Sequence, residues 1–139
     1  MDNVFIEGVG STTFGQHSNR TAVDLAVEAS LNAIEDAKVD LEKIGTVYLG
    51  NFVSGVLTGQ EVLAGLVADK LGISGVPATK VEGACASGGM AFRHACMAVA
   101  SGSCEVALAV GVEKMTHAKT SLVTEALNCA LDHEVDAAS

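Results

Sequence analysis

A chain of 139 residues, 49% of them hydrophobic, is long enough for one domain with its own core and too apolar to be disordered. Its 17 acidic against 8 basic residues give a net charge of −9, which argues against nucleic-acid binding, and its apolar runs are too short to span a bilayer. No basic, apolar leader opens the sequence, so the expected location is the cytoplasm, where the four cysteines stay reduced; they are also too widely spaced for a zinc pair.

Val4-Phe5-Ile6 followed by Gly8-Val9-Gly10 predicts a short strand running into a loop. The glycines do not complete a dinucleotide fingerprint, because Gly15 comes too late and no helix opens there. Thr21 with Asp24 three residues on has the spacing of a capping box, and Ala22, Leu25, Ala26, Ala29, Ala33, Ile34 and Ala37 follow on one helical face. Glu28, Asn32, Glu35 and Asp36 take the opposite, solvated face. Thr46–Gly50 is a strand, and residues 51–59 a Gly/Ser-rich loop.

Thr58 and Glu61 repeat the capping-box spacing before a helix over Gln60–Leu71, with Gly72 as its stop. That helix is apolar almost all round, so burial on two sides is expected, at an interface or in a second layer. Pro77 precedes a β-branched run, Ala78–Val81, and Ser87–Ser101 has a helical pattern. Val106–Val112 is continuously apolar, as in a strand buried on both faces. Glu113–His117 follows at its end, where strands of open α/β sheets meet ligands. Leu122, Val123, Ala126, Leu127, Ala130 and Leu131 form a weaker helical face before the acidic residues 132–136. The alternation predicts an α/β fold, a largely parallel sheet with helices on both faces.

Cys85 lies at the strand-to-helix turn with Ala84, Ala86, Gly88 and Gly89 around it. The first turn of a helix favours an anion, and the thiolate is the nucleophilic form of cysteine. Small neighbours leave room for a carbonyl to approach. A buried core cysteine is the competing reading, and the local pattern leaves both open. Cys96 and Cys104, in apolar surroundings, are expected to fill the core, and Cys129 falls in the weakly periodic stretch. His94, more than two turns along the helix, is too far from Cys85 to serve as its base.

Four segments, Gly50-Asn51 with Gly59-Gln60, Pro77-Ala78-Thr79, Cys85-Ala86-Ser87-Gly88 and Gly111-Val112-Glu113-Lys114-Met115, together resemble the thiolase family, in the family's order. Glu82 and the doubled Gly88-Gly89 look like its archaeal-type and sterol-carrier-protein-linked branch. The resemblance implies a three-layer α/β/α fold, with four of the five strands of the family's N-terminal domain over residues 1–117. Residues 118–139 would open the family's inserted loop domain. It further implies an acyl-CoA C-acyltransferase, working by Claisen condensation or thiolysis of 3-oxoacyl-CoA with Cys85 as the acyl-accepting nucleophile. Coenzyme A thioesters would be substrates, with no cofactor and no metal.

His17, His117 and His133 match none of the family's later motifs. The proton-transfer residues are therefore expected beyond Ser139, and this chain alone is expected to be inactive. A homodimer or higher oligomer, and a zinc/OB-fold partner protein, are the partners the resemblance suggests. A ketosynthase-like acyl transferase and a non-catalytic thiolase-like subunit are the alternative readings.

Overall fold

The first long helix shows how the chain sets its elements. In the computed structural model, which describes residues 3–136, α1 spans Ala22–Ala37 behind the predicted capping box. The Thr21 hydroxyl accepts from the Asp24 amide, and the Asp24 carboxylate accepts from the Thr21 amide. Such a cap contributes about 1 kcal/mol. Seven further elements follow: β1 (Ile44–Gly50), α2 (Ser54–Thr58), α3 (Leu63–Leu71), β2 (Ala78–Val81), α4 (Ser87–Ala100), β3 (Val106–Gly111) and α5 (Thr120–Asn128).

The sheet is wholly parallel, in the order β2-β1-β3. The chain therefore steps from β1 to one side, then back past it to the other. Val47, Leu49, Leu108 and Val110 pack with Ala22, Ala26, Leu63 and Val67 of α1 and α3 in one apolar core. Tyr48 points the other way, its ring 5.6 Å from that of His94 on α4. Alternate strand residues face opposite sides, so α1 and α3 cover one face and α4 the other. A register shift between Ile44 and Thr46 lets Ile44 join Val47 in the same core despite their odd spacing. A second small core joins α2 to α5 through Val53, Leu57 and Ala126.

The α/β class and the parallel sheet are as the sequence predicts, but several details differ. Three strands, not four, are paired among the described residues. Val4–Gly10 joins no strand and lies along α1, where the Asp36 carboxylate accepts from the Val9 amide and Asn32 Nδ2 donates to the Ser11 carbonyl. Gly8 and Gly10 permit this approach, since a Cβ on Gly10 would stand 2.2 Å from the Ala29 carbonyl oxygen. The α1 face expected to be merely solvated thus tethers the N-terminal segment.

The predicted loop over 51–59 contains α2, and α3 starts at Leu63 with no side-chain cap. Glu61, expected to cap it, instead pairs with Lys80 of β2. Val62 and Leu66 are exposed, so α3 is buried on one side only. Helix α4 is buried along a stripe of Ser87, Ala91, Ala95 and Ala98, while Phe92 and Met97 are open to solvent. β3 buries Leu108 and Val110 but exposes Ala109, and among the described residues its outer edge has no partner strand.

Candidate active site

Parallel strands whose order reverses leave a crevice outside their carboxyl ends, where ligands bind in open α/β sheets. Here the reversal falls at β1, between the ends of β1 and β3. A cleft of about 600 Å³ opens there, lined by Asn51, Cys85, Gly88, Gly111, Glu113 and Met115 among others.

Cys85 is the middle residue of a single 3₁₀ turn, Ala84–Ala86, that runs directly into α4. This is the predicted strand-turn-helix, and the side chain is exposed rather than a core filler. The turn is pinned by Ser87, a buried residue at the start of α4. Its Oγ accepts from the Gly83 amide at 3.0 Å and donates to the Ala84 carbonyl at 2.7 Å. Gly50 brings the turn down onto the sheet: a Cβ there would lie 2.3 Å from the Ser87 carbonyl oxygen and 2.6 Å from the Gly88 nitrogen.

Two of the motif segments singled out in the sequence meet at the floor of the cleft. Asn51, buried at the end of β1, donates from Nδ2 to the Val112 carbonyl at 2.9 Å and to Glu113 Oε1 at 2.8 Å. The Glu113 carboxylate also accepts from the Phe52 amide at 2.9 Å. Side chains from the ends of β1 and β3 thereby fix each other. Sequence spacing could place Asn51 and Glu113 just past two strand ends, but not show that they bond.

The other candidates lie apart from this chemistry. His94 donates from Nδ1 to the Met90 carbonyl within its own helix. His117 donates to the Leu57 carbonyl and so ties the β3 exit to α2. His17 lines the cleft, yet its Nε2 donates to the Thr13 carbonyl at 2.8 Å. A carbonyl only accepts, so each of these rings carries its proton on the bonded nitrogen. His133 is exposed near the end of the described residues.

Cys96 and Cys104 are half-buried, and burial pushes the Cys104 thiol up, away from the reactive thiolate. Cys129 is exposed beyond α5. Among the described residues, no group of three or more His, Cys, Asp or Glu could hold a metal ion, and no helix is long and apolar enough to cross a membrane.

Comparison with known proteins gives this geometry its family. The model of the thiolase N-terminal domain matches residues 4–137. An acetyl-CoA acetyltransferase of Methanocaldococcus jannaschii is 43% identical over 137 residues, covering 99% of this chain and 34% of that protein. Human sterol carrier protein 2 is 30% identical over 139 residues, covering 98% of this chain and 25% of that protein. Among solved structures, the Acat5 thiolase of Ascaris suum in complex with coenzyme A shares the fold, with a TM-score of 0.69 and 20% identity over 81% of this chain and 29% of that one. The chain spans about a third of the length of the acetyltransferase it matches. It belongs to the thiolase family, through that family's N-terminal domain.

Proposed function

We propose that this chain carries the acyl-accepting half of a thiolase-type acyl-CoA C-acyltransferase, with Cys85 as the nucleophile. The observation that carries the reading is the position of Cys85: an exposed thiol at the start of α4, opening onto the cleft at the reversal point of a parallel sheet. In this reading the Cys85 thiolate attacks the thioester carbonyl of an acyl-CoA. The acyl–sulfur bond forms, the bond to coenzyme A breaks, and coenzyme A leaves as its thiolate.

Condensation with a second acyl-CoA, or the reverse cleavage of a 3-oxoacyl-CoA by coenzyme A, requires proton transfer as well. Of the histidines among the described residues, His17 lines this cleft, and its Nε2 donates to the Thr13 carbonyl. Those proton-transfer groups are assigned to the portion of the relatives that this chain does not span. Residues 118–139 are assigned to the start of the family's inserted loop domain, and dimerisation to the assembled protein.

The test is a single-turnover incubation with acetyl-CoA, read by peptide mass spectrometry and by release of free coenzyme A. Acetyl on Cys85 with an equal amount of coenzyme A is the expected result. Acetyl on Cys129 instead, or on no cysteine, refutes the assignment.

A further inference from the structure

Among the described residues, two carry a side chain and a left-handed backbone: Lys38, at φ 53°, and Ala84, at φ 47°. Lys38 is the ordinary left-handed ending of a helix. Ala84 is not; it immediately precedes Cys85. A residue with a Cβ adopts that conformation only where its surroundings over-determine it.

Three side-chain hydrogen bonds do so here. Ser87 supplies two, to the Gly83 amide and the Ala84 carbonyl. The third comes from Glu82, whose Oε1 accepts from the Ala84 amide two residues ahead. Gly83 lies between them against the Met90 side chain, and a Cβ there, 2.1 Å from Met90 Sδ, would push that flexible side chain aside. Ser87 is buried in the packing of α4, whereas Glu82 is exposed, so its carboxylate can be removed without opening the core.

We infer that Glu82 is a positioning residue for Cys85: by accepting from the Ala84 amide it holds the backbone turn that aims the thiol into the cleft. The role rests on the acyl-transfer reading of Cys85, and it needs the acceptor oxygen rather than the charge. Without the bond, Ala84 relaxes toward the right-handed or extended regions, and the thiol leaves its aim. A glycine at 84 adopts the left-handed turn without strain and does not need the bond.

The experiment compares the wild-type chain with Glu82→Ala, Glu82→Gln and the double variant Glu82→Ala/Ala84→Gly. Three readouts are taken: acetylation of Cys85 by acetyl-CoA, iodoacetamide labelling of Cys85 relative to Cys129 in the same molecule, and Tm. Glu82→Ala is expected to slow both Cys85 reactions roughly tenfold at little cost in Tm, the size of effect that one relieved backbone strain gives. Glu82→Gln, which keeps the oxygen, stays near wild type, and the double variant recovers.

Unchanged labelling in Glu82→Ala overturns the inference. So does a fall shared equally by Cys129 and Tm, or a double variant no better than the single one. If wild-type Cys85 takes no acetyl group but its labelling follows the expected pattern, the acyl-transfer reading falls and the positioning role stands. If Cys85 is acetylated equally in wild type and Glu82→Ala, the positioning role falls and the acyl-transfer reading stands.

Discussion

Strand β3 faces two different environments. Its carboxyl end enters the Cys85 cleft, where Asn51, Glu113 and Ser87 tie backbone and side-chain polar groups together. Its outer edge lines a groove of about 470 Å³, bounded on the far side by the unpaired segment Asn3–Gly8 and floored by Phe92, Cys96 and Val99 of α4. Phe5 and Ile6 there are exposed, at 72% and 67%. The floor of the cleft is held by bonds between residues of this chain, while the groove presents an open strand edge and bare apolar side chains. Chemistry needs a preorganised site, and the cleft is preorganised by the chain itself.

The largest expected effect falls on the cleft side. Cys85→Ala should abolish acetyl uptake from acetyl-CoA while changing stability by no more than about 0.5 kcal/mol, because an exposed thiol contributes little packing. Residual acetylation of the variant at a single other cysteine would move the nucleophile to that residue.

Next come two glycine substitutions that set the regions against each other. Gly50→Ala puts a Cβ against backbone atoms of Ser87 and Gly88, which have no free end to swing away. Overpacking of this kind costs about 1–3 kcal/mol, and it should lower the global Tm. Gly10→Ala meets backbone of α1 as closely, but it joins a segment outside the sheet. It should release the N-terminal segment from α1, with faster amide exchange at Val9 and a small change in global Tm. Equal losses of Tm in the two variants would mean that the N-terminal segment is as much a part of the cooperative unit as the cleft.

The same contrast explains what could be read from the sequence. The capping box at Thr21 and Asp24, the parallel alternation and the turn at Cys85 are local signals, decided by neighbours within a few residues. Each is found where periodicity and spacing put it. The strand expected at Val4–Gly10 is not formed, because strand identity needs a partner, and the pattern Val-Phe-Ile says nothing of whether one is present. Burial of β3 on both faces and of α3 on two sides is not found, for the same reason: an apolar sequence records what a surface can bury, not what covers it here. The Asn51–Glu113 bond spans 62 positions, and no spacing rule reaches that far. The left-handed Ala84 was hidden because alanine gives no warning of it, as a glycine would have done.

On the groove side, the open edge should be detectable as self-association. Unpaired apolar edges template pairing with other chains, and an edge lysine is a natural block. Ala109→Lys, at an exposed position of β3 facing the groove, should keep the chain monomeric at concentrations where wild type associates in sedimentation velocity. Acetylation of Cys85 should be unaffected, since the cleft lies at the strand's other boundary. Association unchanged by the lysine would place the sticky surface elsewhere, on Leu66 of α3 and on Val62 just before it in the first instance.

The smallest effect concerns a bond that belongs to neither region and so serves as a reference for both. Asp24 joins α1 to α3: its carboxylate accepts from Lys70 Nζ at 2.6 Å, from the Thr21 amide at 2.8 Å and from the Thr21 hydroxyl at 2.7 Å. The Lys70 bond, with those from Thr21 behind it, holds the Asp24 carboxyl well below the usual carboxylate range. Because the folded state lowers this pKa, the ionised group stabilises the fold at neutral pH. That contribution begins to fade near pH 4, where the aspartate of the unfolded chain takes up its proton, and it fades further as pH falls toward the folded value. The pair is exposed, so solvent and salt screen it, and its worth is a few tenths to about 1 kcal/mol. Asp24→Asn keeps an acceptor for the cap and removes the charge. The Tm difference between wild type and Asp24→Asn should be small at pH 7, shrink on going from pH 4 to pH 3, and shrink again in high salt. A difference that widened on acidification would reverse the sign assigned to Asp24. One that ignored salt would mean that the cap, not Lys70, carries the effect.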